Sequence, residues 1–94
     1  MKKEARLISY FSLPTDLAAV FRSWSEFESG EGYDVSLRCR TTGERVRTEC
    51  REMDGIPFVS VTSEAAGQLY KRVIEAATTA LREHSDTVDV WECE

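Results

Sequence analysis

Apolar and charged residues alternate in the middle of the chain, and this pattern predicts a β-hairpin. The segments 33–40 and 45–51 carry an apolar or small residue at every second position, with arginines or acids between them. A period of two is typical of strands with one buried face. The residues 41–44, Thr-Thr-Gly-Glu, form the predicted turn. We expect the inward face to carry Val35, Leu37, Cys39, Val46, Thr48 and Cys50.

A helical pattern precedes this hairpin. The residues 12–16, Ser-Leu-Pro-Thr-Asp, combine polar capping groups with a proline, which favours the start of a helix. Gly30 and Gly32 are expected to end it. The predicted core face of this first helix has apolar residues at helical spacing: Leu17, Val20, Phe21, Trp24 and Phe27.

A second, longer helix is predicted after position 63. Ser63 is a suitable N-cap, and His84 near the other end suits the negative pole of the helix dipole. The apolar stripe of this helix is wide and includes Ala66, Leu69, Tyr70, Val73, Ile74, Ala77, Ala80 and Leu81.

Three further segments predict strands: Ala5–Phe11, Ile56–Val61 and Val88–Cys93. Pro57 cannot donate a ladder hydrogen bond, so it should lie at the start of its strand or on an edge. The predicted order is β-α-β-β-β-α-β in a single domain, residues 1–94. Such an order favours an α+β fold, with a mainly antiparallel sheet, two helices packed on one face and the other face open.

Composition narrows the classes of protein. Apolar residues make up 41% and charged residues 31% of the chain, as in ordinary globular domains. No apolar run approaches the roughly 20 residues of a membrane span, and no signal-type segment follows Met1, so no membrane partner is expected. Three cysteines without close pairing indicate reduced thiols and a cytoplasmic location. We expect Cys39 and Cys50 to be buried and Cys93 to be the accessible thiol.

The charge is distributed unevenly. The chain has a net charge of −5, yet residues 38–51 contain five arginines and two glutamates, which gives this hairpin +3 and the remainder −8. With the turn at 41–44, Arg40 is expected opposite Arg45, Arg38 opposite Arg47, and Asp34 opposite Arg51. Like charges across a ladder destabilise a sheet unless neighbours neutralise them. Glu49, diagonal to Arg38, and Glu44, at the turn, are the candidates.

The arginine cluster has two interpretations. It is either a solvated face joined by Arg–Glu pairs, or a docking surface for an acidic protein or an RNA backbone, since the guanidinium group forms forked contacts with carboxylates and phosphates. An aromatic residue on the same face would favour nucleic acid. Trp91 is either a core residue or an exposed interaction anchor. The candidate partner-binding residues are Arg38, Arg40, Arg45, Arg47 and Trp91.

No catalytic or cofactor motif accompanies these residues. The chain has no glycine-rich phosphate loop, no GxSxG, no HExxH and no CxxC. Its single histidine, His84, would need a nucleophile and a carboxylate brought close by the fold. Cys39, Cys50, Cys93 and His84 have the right chemistry for zinc, but they lack the short paired spacing of most zinc sites. We therefore predict no catalytic residue, no metal and no cofactor.

The order β-α-β-β-β-α resembles the ribosome hibernation factor family. The resemblance extends over roughly 5–84, with Thr15-Asp16-Leu17 opening the first helix and Val61-Thr62-Ser63 leading through Gly67-Gln68-Leu69-Tyr70 into the second. It implies binding to ribosomal RNA through basic helices and strands. No functional residue is carried over, because the bases of the second helix (Lys71, Arg72, Arg82) are matched by acids (Glu64, Glu75, Glu83).

These patterns favour a non-catalytic interaction module that binds an acidic protein surface through its arginine-bearing open sheet face. An RNA- or ribosome-associated regulatory factor is the alternative, and a small enzyme is the third. A homodimer through the same face is less favoured, since it would bring like charges together.

Overall fold

A six-stranded sheet with both helices on one face forms the fold. The computed structural model describes residues 2–10 and 12–93. In chain order the elements are β1 (Lys3–Ser9), α1 (Ala18–Phe21), β2 (Phe27–Glu31), β3 (Asp34–Arg38), β4 (Arg45–Met53), β5 (Ile56–Ser63), α2 (Gln68–His84) and β6 (Val88–Cys93). The strand order is β2-β3-β4-β5-β1-β6, and all neighbours are antiparallel. The predicted α+β class is confirmed.

The core lies between the sheet and the helices. Alternate strand residues point inward, as the period-two patterns predicted, and meet the apolar stripe of α2 together with the short α1. Every residue of this inner layer is at most 2% exposed: Ala5, Leu7, Leu17, Ala18, Phe21, Val35, Leu37, Val46, Val59, Val61, Leu69, Tyr70, Val73, Ala77 and Leu81.

The first helix is much shorter than predicted. It has four residues, and Phe27–Glu31, expected to complete and end it, forms β2 instead. After Phe21 the backbone continues in tight turns, in which Trp24 N–H donates to Phe21 O at 3.0 Å and Phe27 N–H to Trp24 O at 3.1 Å. These turns keep the apolar side chains directed at the core, so the stripe correctly predicted burial but not a continuous helix.

The two glycines that were expected to end the first helix, Gly30 and Gly32, instead allow β2 to form and to turn into β3. A Cβ atom on Gly30 would lie 2.8 Å from the carbonyl oxygen of Asp34, so only glycine allows this close pairing with β3. Gly32 turns the chain between the two strands with a φ of 62°. The predicted first strand ends earlier than expected, at Ser9, and Phe11 lies outside the described residues.

The remaining boundaries are closer to prediction. The last strand matches its predicted range, Val88–Cys93, and β5 extends two residues beyond Val61. Pro57 is the second residue of β5, just beyond the last β1 pair, Ile8 with Phe58. It therefore lies near the start of its strand, where a missing donor is tolerated.

The start of α2 differs from the prediction. Ser63 belongs to β5, and its hydroxyl accepts a hydrogen bond from Ala66 N–H at 2.9 Å within the intervening turn. The helix N-terminus is capped instead by Glu44, from the loop before β4. Its carboxylate accepts hydrogen bonds from the N–H groups of Gly67 (2.8 Å), Leu69 (3.0 Å) and Tyr70 (3.1 Å). Free N–H groups at a helix start need such acceptors, and the helix dipole favours a negative charge there.

Replacing Glu44 tests this cap. We expect Glu44→Ala to lower the free energy of unfolding by about 2 kcal/mol, because three N–H groups, two of them buried, lose a charged acceptor. Urea unfolding followed by circular dichroism measures the change. Glu52→Ala, on the exposed end of β4, is the matched control and should cost less than about 0.5 kcal/mol. Equal losses in the two variants would contradict the capping role.

Candidate interaction surface

The face of the sheet opposite the helices is the candidate functional surface, and we call it the outer face. Residues that are directly paired across antiparallel strands share a face, so the register defines its members. One row across the sheet runs Glu49, Ser60, Arg6, Trp91, on β4, β5, β1 and β6. The next row runs Arg47, Thr62, Glu4, Cys93.

Three of the four predicted arginines lie together on this face, but in a different register. Arg38 pairs with Arg45 and Ser36 with Arg47, so the expected pairs Arg40 with Arg45 and Arg38 with Arg47 are wrong. The first strand of the hairpin ends two residues earlier than predicted, at Arg38, and the Cys39 N–H group donates to Glu44 O at 2.8 Å where the loop begins. Arg40 consequently lies in the exposed loop at the hairpin tip.

The hairpin register also corrects the remaining expected pair. Ser36 lies opposite Arg47 and Val35 opposite Thr48, a shift of two residues that keeps every inward residue inward. Asp34 therefore does not face Arg51, whose opposite residue on β5 is Phe58. Parity alone permits both registers, which is why the sequence pattern could not distinguish between them.

The arginines of this hairpin are largely free of acidic partners. Within residues 2–10 and 12–93, no carboxylate lies within 4.0 Å of the guanidinium groups of Arg38, Arg45 or Arg47. Glu44, which was expected to neutralise them, is buried beneath the sheet at the start of α2. The interpretation as a face joined by Arg–Glu pairs therefore does not describe this end of the sheet.

An ordered polar cluster occupies the centre of the outer face around Glu4. Its carboxylate accepts hydrogen bonds from Arg6 Nε at 3.1 Å and from the buried Ser60 hydroxyl, and Arg51 approaches it to 3.6 Å. Burial alone would raise the pKa of Glu4. The hydrogen bonds from Ser60 and Arg6 and the charges of Arg6 and Arg51 outweigh burial and hold that pKa below its ordinary value.

Apolar residues adjoin this cluster. Ile8 and Phe58 pair directly on the outer face and are only 6% and 3% exposed, although they are not part of the main core. The guanidinium group of Arg6 covers Phe58, 5.1 Å from the ring centroid, and also contacts Met53 Sδ at 3.8 Å. Arg6 thus covers a small second core formed by Ile8 and Phe58, because the long aliphatic part of an arginine side chain packs well on apolar surface.

Other large apolar side chains at this end of the face remain exposed. Met53 and Ile56, paired across β4 and β5, are 45% and 39% exposed. Tyr10 is 42% exposed, and its hydroxyl donates to Asp89 Oδ2 at 2.9 Å, which ties it to β6. Trp91 is 56% exposed, so its interpretation as a core residue is wrong. We call these four residues the apolar patch.

The predicted residues therefore separate into two regions of one face. Trp91 shares the outer face with the arginines, but β5 and β1 lie between its strand and β4. Three strand spacings separate β6 from β4 by roughly 14 Å, and the arginines lie farther still, because Trp91 is level with Glu49 and Arg38 is on the next strand, β3. Sequence reasoning missed Arg6, Tyr10, Met53 and Ile56. The available signal was the alternation of the first strand, where Glu4, Arg6 and Ile8 occupy the parity opposite Ala5 and Leu7.

The three cysteines differ from expectation. Cys50 is exposed, although it has the inward parity, because burial along β4 ends at Thr48. Partial desolvation and the charges of Asp34 and Glu52 raise the pKa of Cys50, which disfavours its thiolate. Cys93, expected to be the accessible thiol, is half-buried, as is Cys39.

His84 contacts a hydroxyl group. Its Nε2 lies 2.9 Å from Ser12 Oγ, both residues are exposed, and no described carboxylate forms a hydrogen bond or ion pair with the ring. Among residues 2–10 and 12–93, no group of three or more histidines, cysteines and acids is placed to hold a metal ion. In the same residues no helix is both long and apolar enough to cross a membrane.

Comparisons with protein-family models, with curated proteins and with solved structures found no match to this chain. The resemblance to the ribosome hibernation factor family therefore stays a prediction from element order.

The Glu4 cluster predicts a pH dependence. Because the pKa of Glu4 is lowered in the folded state, its ionised form stabilises the protein at pH values above the ordinary 4.5. That contribution is lost as pH falls through the folded-state pKa. Glu4→Gln should cost about 1 kcal/mol at pH 7, and its difference from the parent should shrink below pH 4 in urea unfolding curves.

Glu64→Gln is the control for this experiment. Glu64 is exposed and makes no hydrogen bond or ion pair with the described residues. Its substitution should change the free energy of unfolding by less than about 0.5 kcal/mol. A constant difference between Glu4→Gln and the parent from pH 7 to pH 3 would contradict the role of the Glu4 charge.

Proposed function

We propose that this protein is a non-catalytic interaction module that binds an acidic protein surface through its outer face. The observation that carries the proposal is the combination, on one uncovered sheet face, of three arginines without acidic partners among the described residues and an exposed apolar patch. Both helices pack on the other face, so no element of the described chain covers these groups.

The two regions would contribute differently to binding. Large apolar and aromatic side chains at the centre of an interface supply most of the affinity, which fits Trp91, Tyr10 and Met53. The arginines supply orientation and discrimination, because each guanidinium group can form a forked contact with a carboxylate. An open concavity of about 740 Å³ lies beside Arg45, Arg47 and Arg51 on this face. A partner with an acidic segment next to apolar residues matches this layout.

RNA is the second candidate, supported by one observation. Tyr10 and Trp91 are exposed aromatic rings on the same face as the arginines, and such rings stack on unpaired bases. Five cations (Lys2, Lys3, Arg45, Arg47 and Arg51) and four acids (Glu4, Glu28, Glu49 and Glu64) line the concavity. This mixed lining lacks the uniform positive charge that a phosphate backbone requires, whereas a protein can place its carboxylates beside the arginines alone. We therefore favour a protein partner. A cytoplasmic location fits either candidate, because the three cysteines are free thiols.

Charge reversal of the arginines tests the proposal. Arg38→Glu/Arg47→Glu should lose the partner captured from a lysate of the native host by the parent, with at least about tenfold weaker binding. Loss through unfolding is not expected, because Arg38→Glu places an acid opposite Arg45 and replaces a repulsive pair with an attractive one. Thermal unfolding of both proteins checks this point.

A matched variant on the helix face serves as the control. Lys71→Glu/Arg82→Glu makes the same change in net charge at two exposed positions of α2 and should bind like the parent. Equal capture of the same protein by the parent and the Arg38/Arg47 variant would reject the proposal. Co-sedimentation with ribosomes or RNA that falls steeply with salt, and is lost in that variant, would favour RNA instead.

A further inference from the structure

The two edge strands of the sheet are protected to different degrees. Natural edge strands are usually shortened, bulged, or marked with charged residues or proline, so that they do not pair with other chains. At one edge, β2 has five residues and a register shift between Phe27 and Ser29. At the other edge, β6 pairs with β1 over six consecutive residues without a shift. Each edge strand carries two acids and no proline, so the uninterrupted pairing is what distinguishes β6. Among the described residues, no strand pairs with its outer side.

The side chains of β6 are exposed on both faces. Trp91 on the outer face is 56% exposed, and Val90 on the inner face is 39% exposed. Asp89 and Glu92 flank this apolar pair and are also exposed. Along the strand the order is therefore acid, apolar, apolar, acid, and it is the same in either direction.

We propose that the free edge of β6 accepts an extended segment of another protein as a seventh strand. The backbone groups of β6 would supply the ladder hydrogen bonds, as in other cases of strand addition. Directly opposed residues lie on the same face, so Val90 and Trp91 select apolar residues and the two acids select bases. The segment that fits reads base, apolar, apolar, base.

A second copy of the chain fits this edge poorly. In a symmetric antiparallel pairing, residues of the same face meet each other. If Trp91 meets its own copy, then Asp89 meets Cys93 and Glu92 meets Val90. If Val90 meets its own copy, then Asp89 meets Trp91 and Glu92 meets Val88. In both registers each face gains two carboxylates that oppose uncharged residues and no cation, so charge complementarity favours a basic segment.

This inference does not depend on the outer-face arginines, so the two sites are tested with different variants. The probe is an eight-residue capped peptide with the central sequence Lys-Val-Val-Arg between Thr-Ser flanks. Docking next to Trp91 should change its fluorescence, which is measured in a Trp24→Phe background so that Trp91 is the sole tryptophan. Amide exchange in residues 88–93 should slow when the peptide binds, because outward N–H groups become paired.

Charge exchange across the edge gives the decisive comparison. Asp89→Lys/Glu92→Lys should bind the basic peptide about tenfold more weakly than the parent and should bind a Glu-Val-Val-Glu peptide in its place. Glu75→Lys/Glu83→Lys, at two exposed positions of α2, makes the same change in net charge away from the edge and should bind like the parent. Circular dichroism establishes that the variants are folded.

Three results would overturn the inference. The first is equal binding of the basic peptide to the parent and to Asp89→Lys/Glu92→Lys. The second is undiminished binding of a peptide with proline in place of both valines, which would mean that strand hydrogen bonds are not involved. The third is a parent dimer in sedimentation equilibrium that dissociates in the Asp89/Glu92 variant, which would identify a second copy as the occupant.

Discussion

The hydrogen bonds between the Glu44 carboxylate and the start of α2 connect the two halves of the structure. Glu44 lies where the β3–β4 loop enters β4 and is only 7% exposed. Its fit is close, because a Cβ atom on Gly67 would lie 2.7 Å from Glu44 Oε1. The Ser63 hydroxyl also donates to this carboxylate, at 3.3 Å. One acid thus fixes the hairpin, the end of β5 and the helix relative to each other, and a buried charge held this way is stabilised by its donors.

The same contact shapes the outer face. A glutamate in a turn next to arginines would ordinarily lie beside them on the surface and pair with them. Here the carboxylate is buried at the N-terminus of α2, so it does not neutralise the arginines of the hairpin. Arg38 and Arg45 lie opposite each other and keep their mutual repulsion. The cost to stability is small at an exposed site, and the result is a set of guanidinium groups available to another molecule.

The sequence predicted the parts of the fold that depend on local periodicity. Side-chain spacing predicted the two faces of the hairpin, the apolar stripe of α2 and the range of β6. Such spacing shows which residues face the core without requiring knowledge of their partners. It did not predict β2, whose Phe-Glu-Ser-Gly-Glu segment has a single apolar residue and depends on pairing with β3. The hairpin register and the cap of α2 were missed for a related reason. The inward parity of Glu44 was the visible signal, but its partners lie 23 to 26 positions away.

The candidate surface was predictable to a similar extent. Alternation placed Arg38, Arg45 and Arg47 on one exposed face, whereas Arg40 was assigned to a strand and lies in the loop. The position of Trp91 depended on the strand order, which puts β1 between β5 and β6 and so brings Arg6 opposite Trp91. No local pattern contains that order, since the paired residues Arg6 and Trp91 are far apart in the sequence.

The uncovered part of the outer face is where a partner should gain the most binding free energy. Two helices cover one face, so apolar residues of the other must be covered by long side chains or stay in water. Arg6 lies over the ring of Phe58, which is 3% exposed. The apolar patch has no such cover, and its members stay 39% to 56% exposed. Burying that patch would release ordered water. The arginines would contribute less, because the free energy of their new ion pairs is largely offset by the loss of their hydration. Affinity should therefore depend mainly on the patch, and the choice of partner on the arginines.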